Sequence, residues 1–256
     1  MFKELKKEWI FASRSGRLFI LIMSFLFLAV LTPIMLKVLI PEIFRMQFPN
    51  LPIEEINRMI NASQLTAIQG FMSDLFELGL IIVVFTLCSI MAQEIKDNTL
   101  VFPIVSGNKF VNIIGSKVIL FGTMLGLLVT VSILICYAYA GILFEFEVPL
   151  QDVLYAGSLQ GIYFLFIVSN LILWGALLKR ALPTGFVTLV IAYAMQAVGG
   201  LLNIHAYLPS GLIDFSSKLQ FQSQDVITSV SITMFLIVIM MIITHAAMKK
   251  MEYNIR

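Results

Sequence analysis

Charge is scarce in this 256-residue chain: 12% of its residues are Asp, Glu, Lys or Arg, against 59% that are hydrophobic. So few polar side chains cannot coat a water-exposed surface, which excludes an ordinary soluble domain. Histidine is just as sparse. His205 and His245 lie far apart, and two isolated imidazoles support neither a metal centre nor a Ser/His relay. The only two cysteines, Cys88 and Cys136, each fall inside an apolar run, and are expected as small buried side chains rather than a disulfide or zinc ligands. A phosphate-cradling loop is missing too, because Gly115-Ser116-Lys117 lacks the earlier glycine of that turn. The chain is therefore expected to bind no cofactor, hydrolyse no ATP itself and not be an enzyme. A net charge of +2 is too mild to suggest a nucleic-acid partner.

What the sequence has in quantity is uninterrupted apolar length. Its mean hydropathy is +0.96, and six stretches come near or exceed the roughly 20 residues needed to cross hydrocarbon: 18–39, 75–91, 118–144, 153–178, 183–202 and 226–248. The expected fold is all-α and integral to the membrane, one transmembrane domain over 1–256 with the lipid bilayer as its solvent. The first run is too long for a signal-peptide core and no small-x-small cleavage pattern follows it, so it is read as a retained span.

Basic residues sort by side. Lys3, Lys6, Lys7, Arg14, Arg17, Lys96, Lys109, Lys117, Lys179, Arg180, Lys249, Lys250 and Arg256 fall on one set of alternate flanks. The other set carries few basic residues and many acids, among them Glu42, Glu145, Glu147, Asp152, Asp214 and Asp225. Cytoplasmic flanks are the basic ones, which puts both termini in the cytosol.

Residues 1–17 read as an amphipathic helix on the inner membrane surface, with Phe2, Leu5, Trp9 and Ala12 near one face. The outer segment 41–74 is too long for a turn, and Pro52 followed by Ile53, Ile56, Met59 and Ile60 suggests a short surface helix. A break or re-entrant segment is expected near Tyr207-Leu208-Pro209 and Gly211. Within the spans, Lys37, Glu77 and His245 are expected close to an interface, while Gln160, Ser169, Asn170 and Gln196 are expected to bond between helices. The cytosolic loop 92–117 mixes charge with the apolar stretch Leu100-Val101-Phe102-Pro103-Ile104-Val105. Apolar residues set among charges on such a loop ask for a partner surface.

That loop carries a resemblance. Gln93-Glu94-Ile95-Lys96-Asp97-Asn98-Thr99-Leu100, then Pro103-Ile104-Val105-Ser106, then Gly115-Ser116-Lys117 are similar to the signature of ABC-2 type transporter permeases, the membrane subunits of ATP-binding-cassette exporters. Glu94, Thr99, Leu100, Pro103, Ser106 and Lys117 match; Ile95, Asn98 and Gly107 depart from the pattern, with Lys109 in place of the arginine that follows the serine. The resemblance implies a permease in a bacterial cytoplasmic membrane, paired with a second copy or paralogue and with two ATPase subunits that hold ATP and Mg. It implies that 98–107 is a short cytosolic coupling helix seated on the ATPase. Phe102, Ile104 and Val105 would be its apolar contacts, with Glu94, Lys96, Asp97 and Lys109 at the polar rim. Aromatic and Met-rich spans, including Phe25, Phe27, Phe121, Met124, Tyr137, Tyr163 and Phe166, suit a hydrophobic or amphipathic cargo such as a drug or antimicrobial peptide. The alternative is a non-transporting subunit that uses the same ATPase for sensing or immunity signalling.

Overall fold

The computed structural model describes residues 2–48, 61–105, 107, 109–219, 221 and 224–253, with side chains left out at Phe2, Val101, Phe102 and 251–253. The described residues form helices and no strands. A short helix α1 (Phe2–Arg14) precedes α2 (Arg17–Gln47) and α3 (Gln64–Lys96). The small α4 (Val101–Val105) leads into α5 (Phe110–Phe144), α6 (Leu150–Leu178) and α7 (Ala181–Leu202). A one-turn break and α8 (Gly211–Ser217) come before α9 (Gln224–Tyr253). Six of these, α2, α3, α5, α6, α7 and α9, are long and apolar enough to span a bilayer. The surface helix expected over 52–60 lies outside the described residues.

Burial ranks the spans. The most apolar stretches of α6 and α3 are 67% and 61% buried, against 28% for α2 and α7 and 22% for α9. The first two are central pillars and the others face outward. Small residues let α5 and α6 approach: Gly122, Gly126 and Thr130 on α5 face Gly157, Gly161 and Leu165 on α6, and a Cβ on Gly161 would stand 3.1 Å from the Gly126 Cα. Close backbone approach of this kind replaces the hydrophobic drive that lipid does not supply between helices.

The second span differs most from expectation. It begins at Gln64, not at 75, because Ser63 caps it: the backbone there is extended and the hydroxyl accepts the Thr66 N–H. The fully buried Gln64 side chain then clasps the opposite turn, donating to the Tyr137 carbonyl at 3.1 Å and accepting the N–H groups of Glu147 and Val148 at 2.7 and 3.0 Å. Residues 64–74 are therefore part of the span rather than of an external loop. Both α2 and α3 carry a π-turn, at Met35–Leu39 and Leu75–Gly79. Between these turns the Thr32 hydroxyl donates to Asp74 Oδ2 at 2.6 Å.

The break after α7 falls where the proline and glycine pattern puts it. Asn203 turns the chain with a left-handed backbone (φ 53°). Gly211 must stay a glycine, since a Cβ there would lie 2.0 Å from the His205 carbonyl oxygen. The short α8 is tucked inward, with Leu212, Ile213 and Phe215 buried.

Candidate coupling site at the basic end

At the end rich in lysine and arginine, three segments meet around one buried ammonium. Lys117, in the second turn of α5, is fully buried, and its Nζ lies 2.8 Å from Glu8 Oε1 and 3.0 Å from Glu94 Oε2. Lys7 Nζ reaches the other Glu94 oxygen at 3.3 Å. Two carboxylates thus balance two ammonium groups and join α1, the end of α3 and the start of α5. Burying a charge is tolerated only with such pairing. Burial pulls the Lys7 ammonium down, but Glu94, Glu8 and Glu4 outweigh it and hold Lys7 above its ordinary value.

The helix α1 is accordingly turned differently from the apolar stripe expected of it. Glu4, Glu8 and Ala12, spaced four apart, are the buried face, whereas Trp9 and Phe11 are exposed. Trp9 lines an apolar groove with Leu18, Leu21, Leu120 and Met124, so α1 offers acids to the protein and aromatics outward. Arg17 fastens the next turn, donating to Ser89 Oγ at 2.8 Å and lying 4.7 Å over the Phe11 ring.

The residues expected to couple to an ATPase divide into three groups. Glu94 faces into the chain and belongs to the buried cluster rather than to a polar rim. Leu100 and Pro103 are buried, Leu100 within the main core, and Ile104 is half-buried against it. Lys96, Asp97, Asn98, Thr99 and Lys109 are exposed, and Val105 stands out, 81% exposed. Ser106 and the Phe102 side chain lie outside the described residues. The turn into α4 is ordered by Gln93, which donates to Asp97 at 2.7 Å, by the Thr99 hydroxyl on the Glu94 carbonyl, and by Asn98 in a left-handed conformation (φ 54°). Beside it opens a cleft of about 550 Å³ lined by Glu4, Lys7, Gln93, Glu94, Asp97 and Thr99.

Comparison with protein-family models, with curated proteins and with solved structures finds no match to this chain. The site must speak through its own geometry. Among the described residues no group of three or more His, Cys, Asp or Glu side chains is placed to hold a metal. What the geometry shows is a short helix, α4, packed on the core with Val105 exposed, beside a salt-bridged knot that three helices share.

Sequence reasoning missed Glu8 and Lys7 as members of this knot. The i, i+4 spacing of Glu4 and Glu8 was the available signal, since acids one turn apart on a membrane-surface helix need basic partners. It also placed Glu77 near an interface. With α3 beginning at Gln64, Glu77 lies about 20 Å along the helix from that end and about 28 Å from Lys96. Of the aromatics read as possible cargo contacts, Phe25, Phe121, Tyr163 and Phe166 are core residues, whereas Phe27 is exposed. Gln160 does bond between helices, to Ser216 Oγ at 3.3 Å, while both amide atoms of Asn170 are buried without a hydrogen bond.

Proposed function

We propose that this protein is the membrane subunit of an ATP-driven exporter of the ABC-2 permease type. In this reading the basic end is cytosolic, the loop carrying α4 docks on a separate ATPase, and a second permease copy or paralogue completes the pathway. The observation that carries it is the pairing of an exposed apolar tip, Val105, with a root locked to three helices through Glu8, Glu94 and Lys117. A docking element coupled to a moving partner must not swing freely on its own chain; the buried ion pairs make displacement of α4 a displacement of α3, α5 and α1 together. ATP and Mg belong to the ATPase, and the cargo is hydrophobic or amphipathic.

Affinity purification of the full chain from its native membrane in mild detergent tests this. A co-purifying ATP-binding-cassette subunit in one-to-one ratio is expected, and Val105→Asp is expected to abolish that association while the chain keeps its thermal stability. Reproducible absence of the ATPase from intact protein overturns the reading. Recovery of the ATPase without ATP-dependent efflux of any hydrophobic cation, drug or peptide from vesicles would favour the signalling alternative.

A further inference from the structure

We propose that the face of α3 around Glu77 is a binding site for an organic cation, which names the cargo class of the permease reading and rests on it. Glu77 sits on the π-turn Leu75–Gly79 and its side chain is exposed; the next residue, Leu78, is half exposed and lines a groove with Met23 and Phe27 of α2. Its depth is fixed from two helices. It lies well inside α3, and its backbone carbonyl accepts the Tyr193 hydroxyl at 2.8 Å, Tyr193 being about 18 Å from the basic end of the 22-residue α7. An ionised carboxylate at this level is costly to leave in hydrocarbon and calls for a proton, water or a cation.

Among the described residues no basic side chain stands at that level to balance it. The described basic residues lie near the ends of the spans, and the exception, Lys37, is engaged by the Leu143 carbonyl and the Phe144 ring. An identical second copy would bring another Glu77 and no further described basic residue to that level, which leaves the position open to a cation from outside the protein.

The surroundings suit an organic cation more than a metal ion. Phe76 packs edge-on against Tyr193, with centroids 5.4 Å apart, and Phe85 packs the same way against Phe186 at 5.7 Å. The first pair adjoins Glu77 and the second lies about 12 Å further along α3, so the two mark an aromatic seam between α3 and α7 that begins at the acid; aromatic faces near an acid attract a delocalised cation. Two buried polar atoms without a hydrogen bond lie near Phe76 and Tyr193. Gln196, one turn beyond Tyr193, has a buried Oε1 with no hydrogen bond, and behind Phe76 the fully buried Tyr163 hydroxyl also has none. A divalent metal would need several carboxylates, and the other acid of this turn, Asp74, is turned to Thr32. The π-turn itself is the local distortion that swings residue 77 outward, and such turns are frequent at functional sites.

Equilibrium dialysis of tetraphenylphosphonium against the full chain in phosphatidylcholine nanodiscs, corrected with empty discs, tests the site. Saturable binding is expected, weakened at least tenfold by Glu77→Gln and unchanged by Glu42→Gln, while neutral triphenylphosphine oxide shows no dependence on Glu77. A lipid-soluble carbodiimide gives a second readout on the unaltered protein: it is expected to modify Glu77, and tetraphenylphosphonium is expected to slow that modification. Binding no greater than to empty discs, equal binding by Glu77→Gln, or labelling of Glu77 without protection overturns the proposal. Neither measurement involves the ATPase, so a cation site confirmed in a chain that recruits no ATPase would refute the permease reading alone.

Discussion

Lys117 and Lys7 touch the same carboxylate, yet their surroundings give them different weight. Lys117 has no exposed surface and two acidic partners, so Lys117→Ala leaves Glu8 and Glu94 buried beside an empty space. Breaking a buried pair in this way costs about 3–5 kcal/mol. Lys7 keeps 42% of its side chain exposed, and screening limits such a pair to about 1 kcal/mol or less. Thermal unfolding in detergent is therefore expected to fall far more for Lys117→Ala than for Lys7→Ala, and equal shifts would mean that the knot is not dry. The acid–base sign is set as well. Lys7 is held above its ordinary value of 10.5, so its contribution is complete at neutral pH and fades only as pH rises through the higher folded value. The stability difference between wild type and Lys7→Met is expected to be constant from pH 6 to 9 and to shrink only above 10.5.

Between elements, the α5–α6 seam separates two kinds of glycine. A Cβ on Gly122 would meet the end of the Leu165 side chain, which can rotate away, but a Cβ on Gly161 or Gly157 would press on backbone, at Gly126 and Thr130. Gly122→Ala is expected to be nearly neutral and Gly161→Val to cost about 1–3 kcal/mol, read as a lower unfolding temperature or a poorer yield of folded protein. The six-span bundle was legible in the sequence because lipid demands long apolar runs and sorts lysine and arginine by side, and both signals are compositional. The extent of α3 was not. Gln64 and Asp74 look like loop or interface residues to a hydropathy count, and only their partners, Tyr137, Glu147 and Val148 for Gln64 and Thr32 for Asp74, show that they belong inside. The loop 92–117 stands out in the sequence for its mixture of charge and apolar residues, whereas the inward turn of Glu94 depends on Lys7 and Lys117, both more than twenty residues away.

On the scale of the whole molecule, the knot at one end and the Gln64 clasp at the other bracket the same pair of helices, α3 and α5. Both native cysteines are buried, which gives a quiet background for sidedness labelling. Asp152→Cys is expected to react with a membrane-impermeant maleimide on intact cells, and Lys249→Cys only after permeabilisation; the reverse pattern would invert the proposed orientation. The paired π-turns carry a further consequence, for length rather than composition. Each inserts an extra residue into an otherwise α-helical ladder, so the two halves of α2 and of α3 are out of phase with each other. A chain lacking one residue within 75–79 would regain a regular α-helix with its two halves still facing as they do, because the π-turn is what accommodates the extra residue. Gln64 would keep its partners at Tyr137, Glu147 and Val148, whereas a residue lost from the α-helical stretch 65–73 would swing it away by about 100°. These helices should accept the loss of one residue at the π-turns more readily than elsewhere along their length.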